Sequence, residues 1–257
     1  MKLEGNVAVI TGAGQGIGEA YARRFGQEGA RVAVVDINRE KGEAVAESIR
    51  SNGAEAMFVA CDVSSEDDTK KMAKIVGDEW GRIDTLLNNA AIFYGINNLD
   101  YSYEYLQKIF SVNYFGAWLC CRAAFPYMKR QGKGSVINQT STAAYLHFPM
   151  PLDEELASFH YSVTKSAING MTHFMAGAVG IYGIRVNAIA PGPTMTEATK
   201  QGVPQEILDM IINMMMSIKR PLQPEDLTGT AVWLASDDSA MVTGQVICCD
   251  GGMVMLG

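Results

Sequence analysis

From Val7 to Gly18 the chain reads VAVITGAGQGIG, and that run limits what it can fold into. Residues 7–10 are a short apolar run rich in β-branched side chains, the pattern of a parallel strand buried on both faces. Thr11 and Gly12 break it, and Gly12, Gly16 and Gly18 lead into a helical pattern carried by Ala20, Tyr21, Phe25 and Gly29. A strand, a glycine turn and a helix N-terminus in that order make a place for phosphate. N–H groups point outward, the helix dipole favours negative charge, and missing side chains let a pyrophosphate approach closely. Glycines alone also mark ordinary tight turns. Asp36, closing the apolar run at 31–35, strengthens the case. An acid at the tip of a second strand can accept hydrogen bonds from both hydroxyls of an adenosine ribose.

Beyond Asp36 the pattern repeats. Residues 38–53 read as a charged amphipathic helix, 56–61 as a third strand leading to Asp62 and Val63, and a further helix runs to Trp80 and Gly81. Residues 83–87 form a fourth strand, 135–141 a fifth ending in Ser141, 184–189 a sixth before Pro191 and Gly192, and 245–250 a seventh. Strands alternating with helices predict an α/β fold, a parallel sheet covered on both faces. Asp62, at a carboxyl edge, either touches an adenine or caps the helix after Ser64, and both roles are compatible. Asn88 and Asn89 either close a turn or floor a pocket. Residues 103–129 read as one long helix, apolar nearly all round in its middle, which implies cover on both sides, by the sheet and by a second subunit. Asn113 within it is either a packing or bend residue or one whose amide holds a water. A Met-rich helix at 204–217 and a last helix at 226–235 precede the final strand.

With 257 residues, 48% of them hydrophobic, the chain can bury one large core. No linker, repeat or low-complexity run divides it, so residues 1–257 are expected to form a single domain. A net charge of −7 argues against nucleic acid and anionic membrane as partners. No apolar stretch reaches the ~18–20 residues of a membrane span, and the N-terminus lacks a signal peptide's apolar segment. Five cysteines, two pairs of them adjacent (Cys120–Cys121 and Cys248–Cys249), fit buried thiols in a reducing cytoplasm rather than a disulfide framework. His147, His160 and His173 show no metal-ligand spacing, so no catalytic metal is expected.

The chemistry sits later. Tyr161 and Lys165 are four residues apart on one helical stretch and so share a face. A phenol of ordinary pKa ~10 is a poor base at neutral pH. A neighbouring ammonium favours the phenolate and is expected to draw that pKa down, making Tyr161 a general acid or base. In isolation the spacing is common on helix surfaces; after a strand ending in Ser141, within a dinucleotide-binding pattern, it gains meaning.

Taken together, residues 11–18 (TGAGQGIG), 88–91 (NNAA), Asn113, Ser141, 161–165 (YSVTK), Pro191–Gly192 and 250–252 (DGG) closely resemble the short-chain dehydrogenase/reductase family over essentially the whole chain. The resemblance implies a Rossmann-like, doubly wound parallel sheet of seven strands with helices on both faces, and commonly a homotetramer. It implies that Tyr161 exchanges the proton with the substrate oxygen, while Lys165 lowers the phenol pKa and binds the nicotinamide ribose. Ser141 would hydrogen-bond the substrate oxygen, and Asn113 would hold the water linking Lys165 to solvent. Asp36 implies NAD, because its carboxylate would repel a 2′-phosphate. Gln15 and Ile37 leave two nearby positions without the basic residue that NADP users of the family often carry. The cofactor set implied is Gly12, Gln15, Gly16, Ile17, Gly18, Asp36, Asp62, Val63, Asn89, Tyr161, Lys165, Thr194 and Thr196.

Three departures from the family pattern bear on the site. Ala91 replaces a usual glycine. Thr140, Ser141 and Thr142 offer neighbouring hydroxyls, so the choice of Ser141 rests on strand register. Ser141 and Tyr161 stand twenty positions apart, more than is usual in the family. The extra length, near 143–159, lies beside the reaction centre and is expected to contact substrate. With a lid near 193–217, Phe93, Tyr94, Phe148 and Met195 are expected to line a mainly apolar substrate pocket, together with Met210, Met214, Met215 and Met216, some of which serve as core or subunit contact. The end of the chain is similar to bacterial members that oxidise aryl or cyclic secondary alcohols with NAD. The alternative on the same scaffold is a sugar or polyol 1-dehydrogenase using Asp153, Glu154 and Glu155. A 3-oxoacyl-carrier-protein reductase or a non-catalytic nucleotide-binding protein fits less well.

Overall fold

The computed structural model describes residues 1–93, 102–146 and 159–255. Every residue of β1 (Val7–Thr11) is buried, as expected of a strand with helices over both faces. The chain continues through α1 (Gly16–Gln27), β2 (Arg31–Asp36), α2 (Arg39–Ser51), β3 (Ala56–Ala60), α3 (Glu66–Trp80) and β4 (Thr85–Asn88). It then forms α4 (Tyr103–Phe110), α5 (Ala117–Gln131), β5 (Gly134–Gln139), α6 (His160–Val179) and β6 (Ile184–Pro191). Three further helices, α7 (Glu197–Gly202), α8 (Gln205–Met215) and α9 (Glu225–Ala235), precede β7 (Val246–Cys249).

The seven strands form one sheet in the order β3-β2-β1-β4-β5-β6-β7, and every neighbouring pair is parallel. This is the Rossmann-like, doubly wound arrangement. Alternation along the strands divides the core in two. Ile10, Val34, Leu87, Ile137 and Ile189 face α1, α2, α8 and α9, whereas Val9, Val35, Leu86, Val136 and Val186 face α3, α5 and α6. The strand order reverses between β1 and β4, and there the helices leave to opposite sides and open a crevice at the carboxyl ends.

Two elements differ from the sequence expectation. The single helix expected over 103–129 is interrupted by a π-helical turn at Ser111–Gly116. Asn113 lies in that turn, 2% exposed. Its amide accepts from Ile92 N at 2.8 Å and donates to Ile92 O at 3.3 Å. A wide turn of this kind widens the helix locally and commonly marks a functional site. Second, the short α7 between Thr196 and α8 was not foreseen, although Thr196 gives it an ordinary cap by accepting from Thr199 N at 3.1 Å. Within a single chain, Phe115 (51%) and Trp118 (40%) stay exposed, so the far side of the long helical segment is not covered by this copy. Among the described residues no helix is long and apolar enough to cross a membrane.

Candidate active site

The crevice is a cavity of about 1510 Å³, larger than the few hundred Å³ that hold a single small ligand. One end is made largely of main chain. Gly12 turns the chain at φ +63°, and a Cβ there would lie 2.8 Å from Ala90 Cα. At Gly18 a Cβ would lie 2.1 Å from Gly12 O. Asn89 Nδ2 donates to Thr11 O and Gly12 O, at 3.1 and 3.0 Å, while Thr11 Oγ1 accepts from Asn89 N and Ala90 N. Gln15, the residue before α1, makes no side-chain cap. The first-turn N–H groups of α1, around Gly16 and Ile17, therefore keep free hydrogen-bonding capacity at the cavity wall, while Gly18 is packed behind it against Gly12 and Asn89. That donor set, with the dipole behind it, fits a pyrophosphate.

Asp36 ends β2, with Oδ2 accepting from Gly14 N and Oδ1 from Asn38 N, both at 2.8 Å. The carboxylate is thus fixed before any ligand meets it. Lys41, from the first turn of α2, reaches the same end and donates to Gln15 Oε1 at 2.5 Å. Positions 15 and 37 carry no basic residue, and Lys41 takes that place from farther along the chain. Asp62 and Val63 line the cavity next to Asp36. Asp62 Oδ1 accepts from Ser64 N and Ser64 Oγ, so it shapes a turn; the cap of α3 is Ser65, which accepts from Asp68 N. Asp62 therefore does not cap α3.

At the other end the site is made of side chains. β5 stops at Gln139, two residues earlier than expected, and the three hydroxyls after it part company. Thr140 Oγ1 donates to Lys165 O at 2.9 Å and Thr142 Oγ1 to Pro191 O at 3.1 Å. Ser141 alone is bonded to the Tyr161 phenol, and its Oγ also accepts from Ala143 N at 3.1 Å. Lys165 is 3% exposed, with Nζ 5.5 Å from the Tyr161 ring centroid and donating to Gln139 O at 2.8 Å.

The electrostatics here reverse the sequence expectation. Burial pushes the Tyr161 phenol up to about 12, with the Ser141 hydrogen bond acting the other way. Burial brings the Lys165 ammonium down to about 8. Loss of hydration outweighs mutual attraction, because Nζ points to a main-chain carbonyl instead of the phenol oxygen.

Phe93 presents its ring edge to Tyr161 at 5.4 Å between centroids. Met195, Leu208, Ile211, Leu146 and Met253 continue an apolar wall, and Thr194 and Thr196 lie between it and the glycine turn. The wall departs from expectation at α8. Met210 (47%) and Met214 (77%) point outward and Met216 (1%) sits in the core, so the α8 side chains in the cavity are Leu208 and Ile211. Met215 is not among the lining residues either. The helix turns these positions away because the face shared by 208 and 211 is the one laid on the cleft. Tyr94, Phe148 and the acidic residues 153–155 lie outside the described residues. Met253, from the segment after β7, was missed because nothing local links it to a site some 90 positions earlier in the chain.

Comparison with known proteins agrees with this architecture. The family model described as enoyl-(acyl carrier protein) reductase matches residues 12–254. An uncharacterised oxidoreductase of Mycobacterium tuberculosis is 40% identical over 256 residues, covering 98% of this chain and 99% of its relative. A 2,5-dichloro-2,5-cyclohexadiene-1,4-diol dehydrogenase of Sphingobium indicum is 34% identical over 257 residues, 99% of both chains. A solved 7α-hydroxysteroid dehydrogenase, complexed with NADH and 7-oxo glycochenodeoxycholic acid, superposes with a TM-score of 0.91 at 31% identity, covering 99% of this chain and 96% of the other. The glycine turn, strands β2 to β7 and the tyrosine–lysine helix lie within the matched span, and the chain belongs to the short-chain dehydrogenase/reductase family of oxidoreductases.

Proposed function

We propose that this chain transfers a hydride reversibly between NAD and a secondary alcohol or ketone carrying a bulky apolar flank, aryl or cyclic. The observation that carries the reading is the meeting of Ser141, Tyr161 and Lys165 at one end of a cleft whose other end presents Asp36. A bound dinucleotide would supply the hydride acceptor in oxidation and the donor in reduction. Its pyrophosphate would lie on the N–H groups of Gly12 and residues 15–18. Its adenosine would meet Asp36, Asp62 and Val63, with Asn89, Ile17, Thr194 and Thr196 along its length.

In oxidation the substrate hydroxyl hydrogen-bonds Ser141 and gives its proton to Tyr161; in reduction Tyr161 returns it. Lys165 carries positive charge beside the phenol and opposes the cost of its ionisation. Asn113, tied to Ile92 by its side chain, places the π turn behind α6, and a water held there would lead the proton to solvent. The apolar wall of Phe93, Met195, Leu208 and Ile211 supports a hydrophobic flank, as do relatives whose names specify a cyclic diol and a steroid. Exposed Phe115 on the π turn and Trp118, Val163 and Phe174 on the packed α5–α6 pair support pairing with a second copy, within a cytoplasmic homotetramer. The domain spans residues 1–257, with segments 143–159 and 193–217 meeting the substrate.

A substrate panel tests the reading by absorbance of NADH. Cyclic alcohols and 1-phenylethanol should drive NAD reduction, and their ketones should reverse it. Turnover of glucose without turnover of any cyclic or aryl alcohol would overturn it in favour of the sugar dehydrogenase.

A further inference from the structure

Gln139 ends β5 in the floor of the cleft, between the glycine turn and the reacting side chains. It is 7% exposed and lines the cavity along with Ile17, Lys165, Pro191 and Thr194. Its main-chain carbonyl receives Lys165 Nζ at 2.8 Å. Its side chain lies on the sheet face covered by α1, where Oε1 accepts from Tyr21 Oη at 3.0 Å. Tyr21 is fully buried, and no other polar side chain pairs with its hydroxyl among the described residues.

This pair orients an amide. A buried phenol that donates to Oε1 turns Nε2 the other way, and the two N–H bonds of Nε2 meet no acceptor among the described residues. Nor is Nε2 one of the polar atoms sealed from solvent without a partner, so it opens on the cleft. Burial holds the Tyr21 hydroxyl far above its ordinary range, so it remains a donor at any working pH and the orientation does not change. A glutamine fixed at one end and open to the cleft at the other presents two N–H bonds to whatever acceptor a ligand brings there.

Building on the proposed NAD-dependent reaction, we propose that Gln139 is a cofactor-contact residue. Its Nε2 donates to an acceptor oxygen on the nicotinamide half of the dinucleotide, and Tyr21 is the positioning residue that aims it. The placement argues for that half over the adenosine half. Gln139 is bonded to Lys165 and adjoins Ser141, whereas Asp36 and Asp62 stand at the opposite end of the cavity. Tyr21 lies on the helix that begins at the phosphate-binding turn, so the same element seats the phosphates and sets the amide.

The test compares binding of NADH and of ADP, which lacks the nicotinamide half, by fluorescence and calorimetric titration. Gln139→Leu should weaken NADH about fivefold to tenfold and leave ADP within about twofold of wild type. Tyr21→Phe should give about two- to fourfold of the same loss, again for NADH alone. The double variant should bind no more weakly than Gln139→Leu, because an unaimed amide that is already absent cannot be lost twice. Gln139→Met, closer in shape, stands in if the leucine variant melts early. NADH affinity unchanged in either Gln139 variant, or an equal loss for NADH and ADP, would overturn the proposal while leaving the reaction intact. A wild-type protein that binds no NADH would remove both.

Discussion

The two ends of the cleft are built on different principles. At the adenosine end the working groups are main-chain N–H bonds, two glycines that nothing larger can replace, and one carboxylate already held by Gly14 and Asn38. At the reaction end they are side chains, drawn from segments far apart in sequence and held by hydrogen bonds across the fold: Thr140 to Lys165, Thr142 to Pro191, Asn113 to Ile92, Tyr21 to Gln139. The first end is set by local conformation and resists any change of shape. The second is set by burial and partners, and a change there alters chemistry before it alters structure. Substitutions at the two ends should therefore fail differently: cofactor binding and stability at one, and at the other turnover, with binding retained wherever the side chain meets substrate rather than cofactor.

The largest effect is expected at Tyr161. Tyr161→Phe removes the group proposed to exchange the proton and keeps the ring that packs on Phe93. Turnover should fall on the order of 10²–10⁴-fold, the usual contribution of a positioned acid or base, with NADH affinity within a few-fold of wild type. The pH profile sharpens the point. With the phenol pushed up to about 12 and the lysine brought down to about 8, Tyr161 is protonated at neutral pH and Lys165 still mostly charged. Alcohol oxidation needs Tyr161 to accept a proton, so its rate should climb from neutral into alkaline pH, whereas ketone reduction, which consumes that proton, should stay level until the pH nears the phenol's own value. Tyr161→Phe should abolish the alkaline climb. Turnover equal to wild type would show that the proton goes elsewhere.

Gly18→Ala should fail in the opposite manner. The new methyl would meet Gly12 O and Asn89 Nδ2, so the turn must open and the Asn89 hydrogen bonds with it. Forcing a side chain into a packed site of this kind costs about 1–3 kcal/mol. A lower melting temperature and a loss of NADH affinity on the order of 10–100-fold should appear together, with turnover of the cofactor-saturated enzyme less affected. Full NADH affinity would mean that the phosphates do not lie on this turn.

The same contrast explains what could be read from the chain alone. Residues 7–18 declare themselves because strand, turn and helix start follow one another within a few bonds, and Asp36 is the next strand's last residue. All seven strands show as apolar runs for the same local reason. The reaction end was legible only as a set of residue types. Which of Thr140, Ser141 and Thr142 faces the phenol depends on carbonyls 25 and 49 positions away. The π turn depends on Ile92, 21 positions before Asn113, and the Tyr21–Gln139 pair spans 118. Spacing revealed that Tyr161 and Lys165 share a face, but not that both would be stripped of water, and that loss reversed the expected direction of the phenol pKa. Helical spacing along 204–217 likewise showed a Met-rich segment without showing which side would lie on the cleft.

Asp36 belongs to the end proposed for the adenosine, yet it would act through its side chain and not through the shape of the turn, so it should give the mildest effect and the most selective one. Asp36→Ala leaves Gly14 N–H and Asn38 N–H without their carboxylate and removes the negative charge that would oppose a 2′-phosphate. Lys41, already at Gln15, is then a cation on that side of the cavity with no carboxylate at position 36 to oppose it. Hydrogen bonds to a charged group contribute about 1.5–3 kcal/mol, part of which water and the freed N–H groups can restore at this half-exposed site. The KM for NAD should rise about tenfold while kcat with saturating NAD stays near wild type, since the reacting side chains are untouched. The KM for NADP should fall, and a second change, Lys41→Ala, should cancel that fall. An unchanged NAD-to-NADP preference in Asp36→Ala would mean that the ribose lies elsewhere, and the adenosine end would then be defined by its glycines alone.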